Sequence, residues 1–139
     1  MEAKSKREEI IELVNKLFIY TDDKNWNKLL GEVFTEKVVF DMSSMSGEAV
    51  QEIPAGEICK GWKDGLAEID ALHHQSGNFI VKLKNDDVEA EVFCYAIATH
   101  YKKNAAQGPR SFTGTYDLHA VLTDQGWRLD KFQIHPEIS

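Results

Sequence analysis

Only two cysteines and three prolines occur in the 139 residues of this chain. Cys59 and Cys94 form no metal or redox motif, which points to buried free thiols in a reducing cytoplasm. No stretch approaches eighteen apolar residues, so no membrane span is predicted. The opening MEAKSKREEIIELV is charged and lacks the apolar centre of a signal peptide. No basic run interleaved with aromatics is present. Twenty-three acids against sixteen bases leave a net charge of −7, which disfavours nucleic acid and anionic membrane surfaces as partners. There is no Gly-rich phosphate loop and no nucleophile elbow. Nothing in the spacing of the histidines forms a metal site, and adjacent His73 and His74 are poor geometry for one, so no metal is expected.

What is present is the composition of one globular domain: 42% hydrophobic and 28% charged residues, with no repeat, linker or low-complexity segment. The first half reads as helices. Ile10, Ile11, Val14, Leu17 and Phe18 recur at helical spacing, predicting an amphipathic helix from about 5 to 20, with Ser5 and Glu8 as a capping box. Thr21-Asp22-Asp23-Lys24-Asn25 ends it. Trp26, Leu29, Leu30, Val33 and Phe34 predict a second short helix with Asn25 as N-cap. Lys37 to Met42 is β-branched and aromatic, hence a strand. Ser43 to Pro54 reads as a loop, and Ile58, Trp62, Leu66 and Ile69 predict a third helix over 55–69, opened by Pro54.

The second half reads as strands. The region from His74 through Gly77–Lys84, then Val88–Lys102, Ser111–Thr123 and Trp127–His135 are separated by Asn85-Asp86-Asp87, the 104–110 loop and Asp124-Gln125-Gly126. Helices followed by an antiparallel meander predict an α+β fold. A strongly bent sheet wrapping the long first helix would leave a cone with an internal cavity. Gly77 and Gly114 are the candidate bulges for that bending.

Asp22, His74 and His100 lie in three separate segments that such a fold can bring together. A carboxylate and two imidazoles can move protons near neutral pH. His100 shares strand parity with Ala90, Val92, Cys94, Ala96 and Ala98, a face of small residues that leaves room beside it; a core histidine with one hydrogen bond is the alternative. Phe93, Tyr95, Ile97 and Tyr101 fall on the opposite face, where they could pack on a partner subunit. His73 and His74 point to opposite faces. Parity with Phe79, Val81 and Leu83 favours His73, whereas a bulge at Gly77 favours His74. Asp22 and Asp23 sit at a helix C-terminus, where the dipole disfavours carboxylates; a solvated helix end is the plain reading. Asp41, closing an apolar strand, is a candidate general base with a raised pKa, or a loop-initiating acid. Tyr20, Tyr95, Tyr101 and Tyr116 are candidate donors to a developing oxyanion, or packing residues. His119 and His135 lie in the last two strands.

Several runs together resemble a known family. YTDDKNWNKLLGEVFTEKVVFDM is similar to the opening of SnoaL-like members of the nuclear-transport-factor-2-like superfamily. EIPAGEI resembles the Met-Pro-Ala-Glu-Glu-Phe stretch of the scytalone dehydratase group. LHHQSGN and ATHYKKN resemble that group's two histidine-bearing strands, placing its catalytic histidines on His74 and His100. GTYDLHAVLTDQGWRLDKFQI looks like the closing hairpin. The resemblance spans nearly the whole chain as a single domain. It implies a cone-shaped barrel of the cystatin-like type, with three N-terminal helices packed in a strongly bent antiparallel sheet, no cofactor and a homo-oligomer, dimer or trimer. It places the family's helix-end carboxylate on Asp22, paired with a pocket histidine. In related ketosteroid isomerases the base at the end of the first strand matches Asp41. Thr21 and Met42 stand where the dehydratase group has tyrosines, and Tyr20 or Tyr116 would replace a lost hydroxyl. The group's Ser and Asn are not kept in the Gly114–Asp117 region. The implied activity is a cofactor-independent dehydratase, lyase or isomerase acting on a small, largely apolar cyclic or polyketide-like substrate. A non-catalytic ligand-binding or assembly module on the same fold is the alternative.

Overall fold

The computed structural model describes residues 3–104 and 106–137. Residue 105, within the predicted 104–110 loop, and the first two and last two residues lie outside the described residues. Helix α1 spans Lys6–Asp22. Ser5 Oγ accepts from the Glu8 N–H at 3.1 Å, and Glu8 Oε1 accepts from the Ser5 N–H at 3.4 Å. This reciprocal box occupies donors that the first turn would otherwise leave unpaired. Ile10, Leu13, Val14, Leu17, Phe18 and Thr21 form the buried stripe.

Asn25 caps the next helix as its sequence predicts, accepting from the Lys28 N–H at 3.2 Å. That helix, α2, is only Trp26–Lys28 and runs into a π-helical turn, Leu29–Val33. The wider turn buries Leu29 and Val33 together, and Phe34 already begins strand β1, Phe34–Asp41. The predicted loop after β1 contains two short elements: α3, Ser43–Ser46, and β2, Gln51–Pro54, antiparallel to β1. Helix α4 runs Ala55–Gly65, shorter than its apolar spacing predicts. Gly65 is a poor helix former. Beyond it Lys24 Nζ donates to the Leu66 and Ile69 carbonyls at 3.0 and 2.6 Å, and the Leu66 carbonyl also accepts from the Ile69 N–H at 3.0 Å.

Four long strands follow: β3 Ala71–Lys84, β4 Glu89–Tyr101, β5 Arg110–Thr123 and β6 Gly126–Pro136. The sheet order is β2-β1-β6-β5-β4-β3. All neighbours are antiparallel except β1 and β6, which run parallel. The antiparallel meander therefore describes β3 to β6, and β1 enters by a non-local pairing. The fold is α+β, with helices packed against one six-stranded sheet. Helix α1 lies against β3 and also touches β6, at the far side of the meander, so the sheet curls around it.

The bending has identifiable causes. The β3–β4 register shifts between Gly77 and Ile80, where Asn78 takes φ 57°. Before the shift Leu72 and His74 face inward; after it Phe79, Val81 and Leu83 do. Gly114 is not a bulge, because β4–β5 pairing runs through it unbroken. A Cβ there would lie 3.0 Å from the His135 carbonyl oxygen, so the glycine permits close approach of β6. The second shift lies between His119 and Ala120. Ala90, Val92, Cys94 and Ala96 line the buried face of β4 as parity predicts, while Tyr95, Ile97 and Tyr101 are exposed on the other.

Candidate active site

The starts of β3 and β5 and the ends of β1, β4 and β6 all lie at one end of the sheet. There the C-terminal halves of α1 and α4 close over a cavity of about 400 Å³. Its walls are mostly apolar, with Leu17, Phe18, Trp62, Leu72, Phe132 and Ile134 among them. The side chains that break this apolar surface most sharply are His74, His100 and Tyr116.

His74 is held by Asp22 at two points. Its Nδ1 lies 2.6 Å from Asp22 Oδ1, and its backbone N–H donates to Oδ2 at 2.9 Å. An ionised carboxylate only accepts, so Nδ1 carries a proton, and in the neutral imidazole Nε2 has the lone pair. Charge-assisted bonds of this kind are about twice as strong as neutral ones. Both side chains are largely buried, at 12% and 15% exposure. Phe18 and Asp22 are four residues apart and share one face of α1. The same face therefore delivers the carboxylate to His74 and stacks the Phe18 ring on the imidazole, with centroids 5.1 Å apart and planes at 27°.

His100 lies on the same inner face. His74 pairs with Ala98, and Leu72 pairs with His100, so the imidazoles are diagonal neighbours across β3 and β4. Burial holds the His100 pKa below its ordinary value, with smaller contributions from His74 and Arg110. Its ring lies 5.0 Å from Phe112 at the cavity rim. Of the three sequence candidates, Asp22 and His74 are thus directly bonded, and His100 faces the same cavity without a hydrogen bond to either among the described residues.

Tyr116 sits deeper, at 6% exposure, edge-on to both Phe18 and Phe132. Burial, and secondarily Cys94, pushes its pKa up, so the phenol stays protonated. None of the side-chain hydrogen bonds among the described residues involves its hydroxyl, and the residue lines the cavity. Tyr20 is elsewhere, donating to Glu32 Oε1 at 3.2 Å. The Thr21 hydroxyl lines the cavity but is committed to the Leu17 carbonyl at 2.6 Å.

Asp41 is not part of the cavity lining. The Ser43 hydroxyl donates to its Oδ1 at 2.6 Å and the Ser43 N–H at 3.0 Å. These two bonds lower its pKa, in that order of size, and outweigh burial. The expected upward shift is therefore corrected: the carboxylate initiates the following turn and is held ionised. His73 is exposed on the outer face. His119 and His135 pair with Asp130 and Asp117, at 2.6 and 3.0 Å, away from the imidazole pair. Tyr95 and Tyr101 are exposed on the outer face as well. Cys59 and Cys94 are free and buried, and burial pushes their thiols up to about 11 and about 12. Among the described residues no three His, Cys, Asp or Glu side chains gather as a cation site, and no helix is long and apolar enough to cross a membrane.

Phe18 is the site residue that sequence reading missed. It looked like ordinary core, yet its position one turn before Asp22 is the available signal. Phe112 and Met45 at the rim carry no comparable local signature.

The description "SnoaL-like domain" matches residues 2–133. Three solved structures share the architecture. The Kfla4162 protein of Kribbella flavida is 26% identical, with TM-score 0.87 over 99% of this chain and 94% of that one. A Novosphingobium aromaticivorans protein provisionally named a scytalone dehydratase is 14% identical, with TM-score 0.82 over 96% and 85%. A nuclear-transport-factor-2-like superfamily protein of Salmonella enterica serovar Typhimurium is 12% identical, with TM-score 0.78 over 96% and 92%. No curated protein matches the chain. With the family description covering all but a few residues and the cone and cavity in place, the chain belongs to the SnoaL-like domain family, on the nuclear-transport-factor-2-like fold.

Proposed function

We propose that this protein is a cofactor-independent acid–base enzyme, a dehydratase-type lyase or an isomerase, acting on a small, largely apolar cyclic or polyketide-like substrate. The observation that carries this reading is the two-point clasp of His74 by Asp22 at the wall of an apolar cavity. The clasp fixes one tautomer and leaves Nε2 as the proton acceptor. His74 removes a proton from carbon adjacent to a carbonyl, and Asp22 stabilises the imidazolium that forms. His100, kept neutral by burial, donates an N–H bond to the developing enolate or assists departure of a hydroxyl. Tyr116 supplies a second donor, its hydroxyl being free for a ligand. Water exclusion by Phe18, Trp62 and Phe132 strengthens each of these interactions.

The test is dehydration of a panel of cyclic β-hydroxyketones, followed by enone absorbance. His74→Asn and Asp22→Asn should each lower turnover by about 10²–10⁴-fold with unchanged far-ultraviolet circular dichroism. Equal turnover in wild type and both variants contradicts the assignment. One observation favours a second reading, a non-catalytic ligand-binding module: the Thr21 hydroxyl is spent on backbone and Met42 offers none, so few groups orient a substrate. Binding of the panel compounds without turnover selects that module.

We also propose a homo-oligomer. Ile80, Tyr95, Ile97 and Tyr101 are exposed across β3 and β4, an apolar outer patch that a second copy would cover. The buried, unreactive thiols support a reducing cytoplasmic location.

A further inference from the structure

We infer that α3 is the gate of the cavity and that Met45 is its size-selecting residue, positioned by a hydrogen-bond chain from Ser44 through His135 to Asp117. This rests on the reading of the cavity as the substrate site. Met42 and Met45 both line the cavity. Met45 is nevertheless 54% exposed, so its side chain stands in the mouth, touching solvent and interior at once. Thr113, Gly114 and Pro136 line the same cavity. A thioether chain is unbranched and adaptable, a suitable selector for apolar guests.

Helix α3 has no buried residue of its own, and every residue from Ser43 to Val50 is exposed. Apolar packing therefore contributes little to its position, and such segments open locally at low free-energy cost. Two polar anchors hold it. Asp41 accepts both donors of Ser43 at the start of the turn. On the outer flank Ser44 Oγ lies 3.0 Å from His135 Nδ1, and His135 Nε2 lies 3.0 Å from Asp117 Oδ2. In the neutral imidazole Nε2–H donates to the carboxylate, leaving Nδ1 to accept from the Ser44 hydroxyl. Gly47, at φ 74°, then turns the chain away.

Hydroxyl, imidazole and carboxylate in this order also make a nucleophilic triad. The surroundings argue for anchoring instead. The N–H groups of Ser43, Met45, Ser46 and Gly47 are all bonded within the segment, to Asp41, Met42, Met42 and Ser43 respectively. That leaves Ser44's own N–H and no paired donors on this segment for an oxyanion.

The test uses two fluorescent probes of different width, 2-naphthol and 1-hydroxypyrene, titrated into the full chain. Met45→Ala should tighten 1-hydroxypyrene by about tenfold relative to 2-naphthol, and Met45→Trp should shift the ratio the other way. Ser44→Ala and His135→Gln should move the ratio toward that of Met45→Ala, and Ser44→Thr, which keeps the hydroxyl, should restore it. A melting temperature changed without a changed ratio reduces Ser44 and His135 to structural roles and overturns the chain. Identical ratios in wild type, Met45→Ala and Met45→Trp overturn the gate, as does no binding of either probe to any form. The acid–base reading fails separately: a shifted ratio with no turnover of any β-hydroxyketone supports the gate and removes the enzyme.

Discussion

His74 and His100 occupy diagonal positions on the inner face of the β3–β4 ladder, two residues out of direct pairing. Cα atoms so related lie about 7–8 Å from each other. Both residues line the same cavity. Burial, and secondarily His74, lowers the pKa of His100. Two imidazoles on one inner face suit a step in which one ring accepts a proton and the other donates.

A pH dependence of stability follows from His100. Its folded pKa lies below the ordinary 6.5, chiefly through burial. The unfolded chain then binds more protons than the folded one in the window between those values, so stability rises with pH there. The penalty is absent above about pH 6.5 and grows as pH falls through the window. Thermal melts of wild type and His100→Gln from pH 7.5 to 5.0 should show the larger drop for wild type. Equal drops would place His100 in solvent.

Tyr116 separates function from folding. Its hydroxyl has no protein partner among the described residues, so Tyr116→Phe should change unfolding free energy by less than about 0.5 kcal/mol. The same variant should lose about a hundredfold in turnover if the phenol donates to a developing oxyanion. A stable variant with full turnover would leave Tyr116 as wall only.

Gly114 is required by backbone proximity, not by a turn. A Cβ at this position would meet the His135 carbonyl oxygen at 3.0 Å and the Pro136 Cα at 3.5 Å. Gly114→Ala should therefore destabilise by about 1–3 kcal/mol in urea unfolding, as overpacking does. No loss would mean that β5 and β6 separate easily at the cavity rim.

The outer face makes a prediction about mass. Tyr95→Lys combined with Ile97→Lys should lower the oligomeric mass measured by light scattering, because both side chains are exposed on that face. The cavity should be unaffected, since residues 95 and 97 point away from it. An unchanged mass would show that assembly, if present, uses another surface.

Much of this was legible in the sequence where the causes are local. The Ser5–Glu8 box, the Asn25 cap and the stripe of α1 are set by residues within one or two turns, and each is in place. The small inner face of β4 and the aromatic outer face follow from period-two alternation. What was not legible depends on distant partners. The parallel β1–β6 pairing joins segments some ninety positions apart. The π-helical turn after α2 is not distinguished in the pattern, because Leu29 and Val33 are spaced as in an ordinary helix. The choice between His73 and His74 turned on a bulge that the pattern allowed without requiring. Asn78 adopts the left-handed conformation there and reverses the parity of β3. Asp22 looked like a solvated helix end because its partner lies 52 residues away. Asp41 failed as a raised-pKa base because Ser43, two residues on, donates to it twice.

The most direct measurement is solvent-deuterium exchange into cyclic ketones, read by proton NMR, for wild type, Asp22→Asn and His74→Asn. Exchange at carbon adjacent to the carbonyl is common to dehydration and isomerisation, so it does not depend on which reaction the protein completes. Wild type should accelerate exchange, and both variants should lose about 10²–10⁴-fold of that acceleration while staying folded. Exchange that persists undiminished in His74→Asn, or that wild type never accelerates although the ketones bind, would contradict an acid–base centre built on Asp22 and His74.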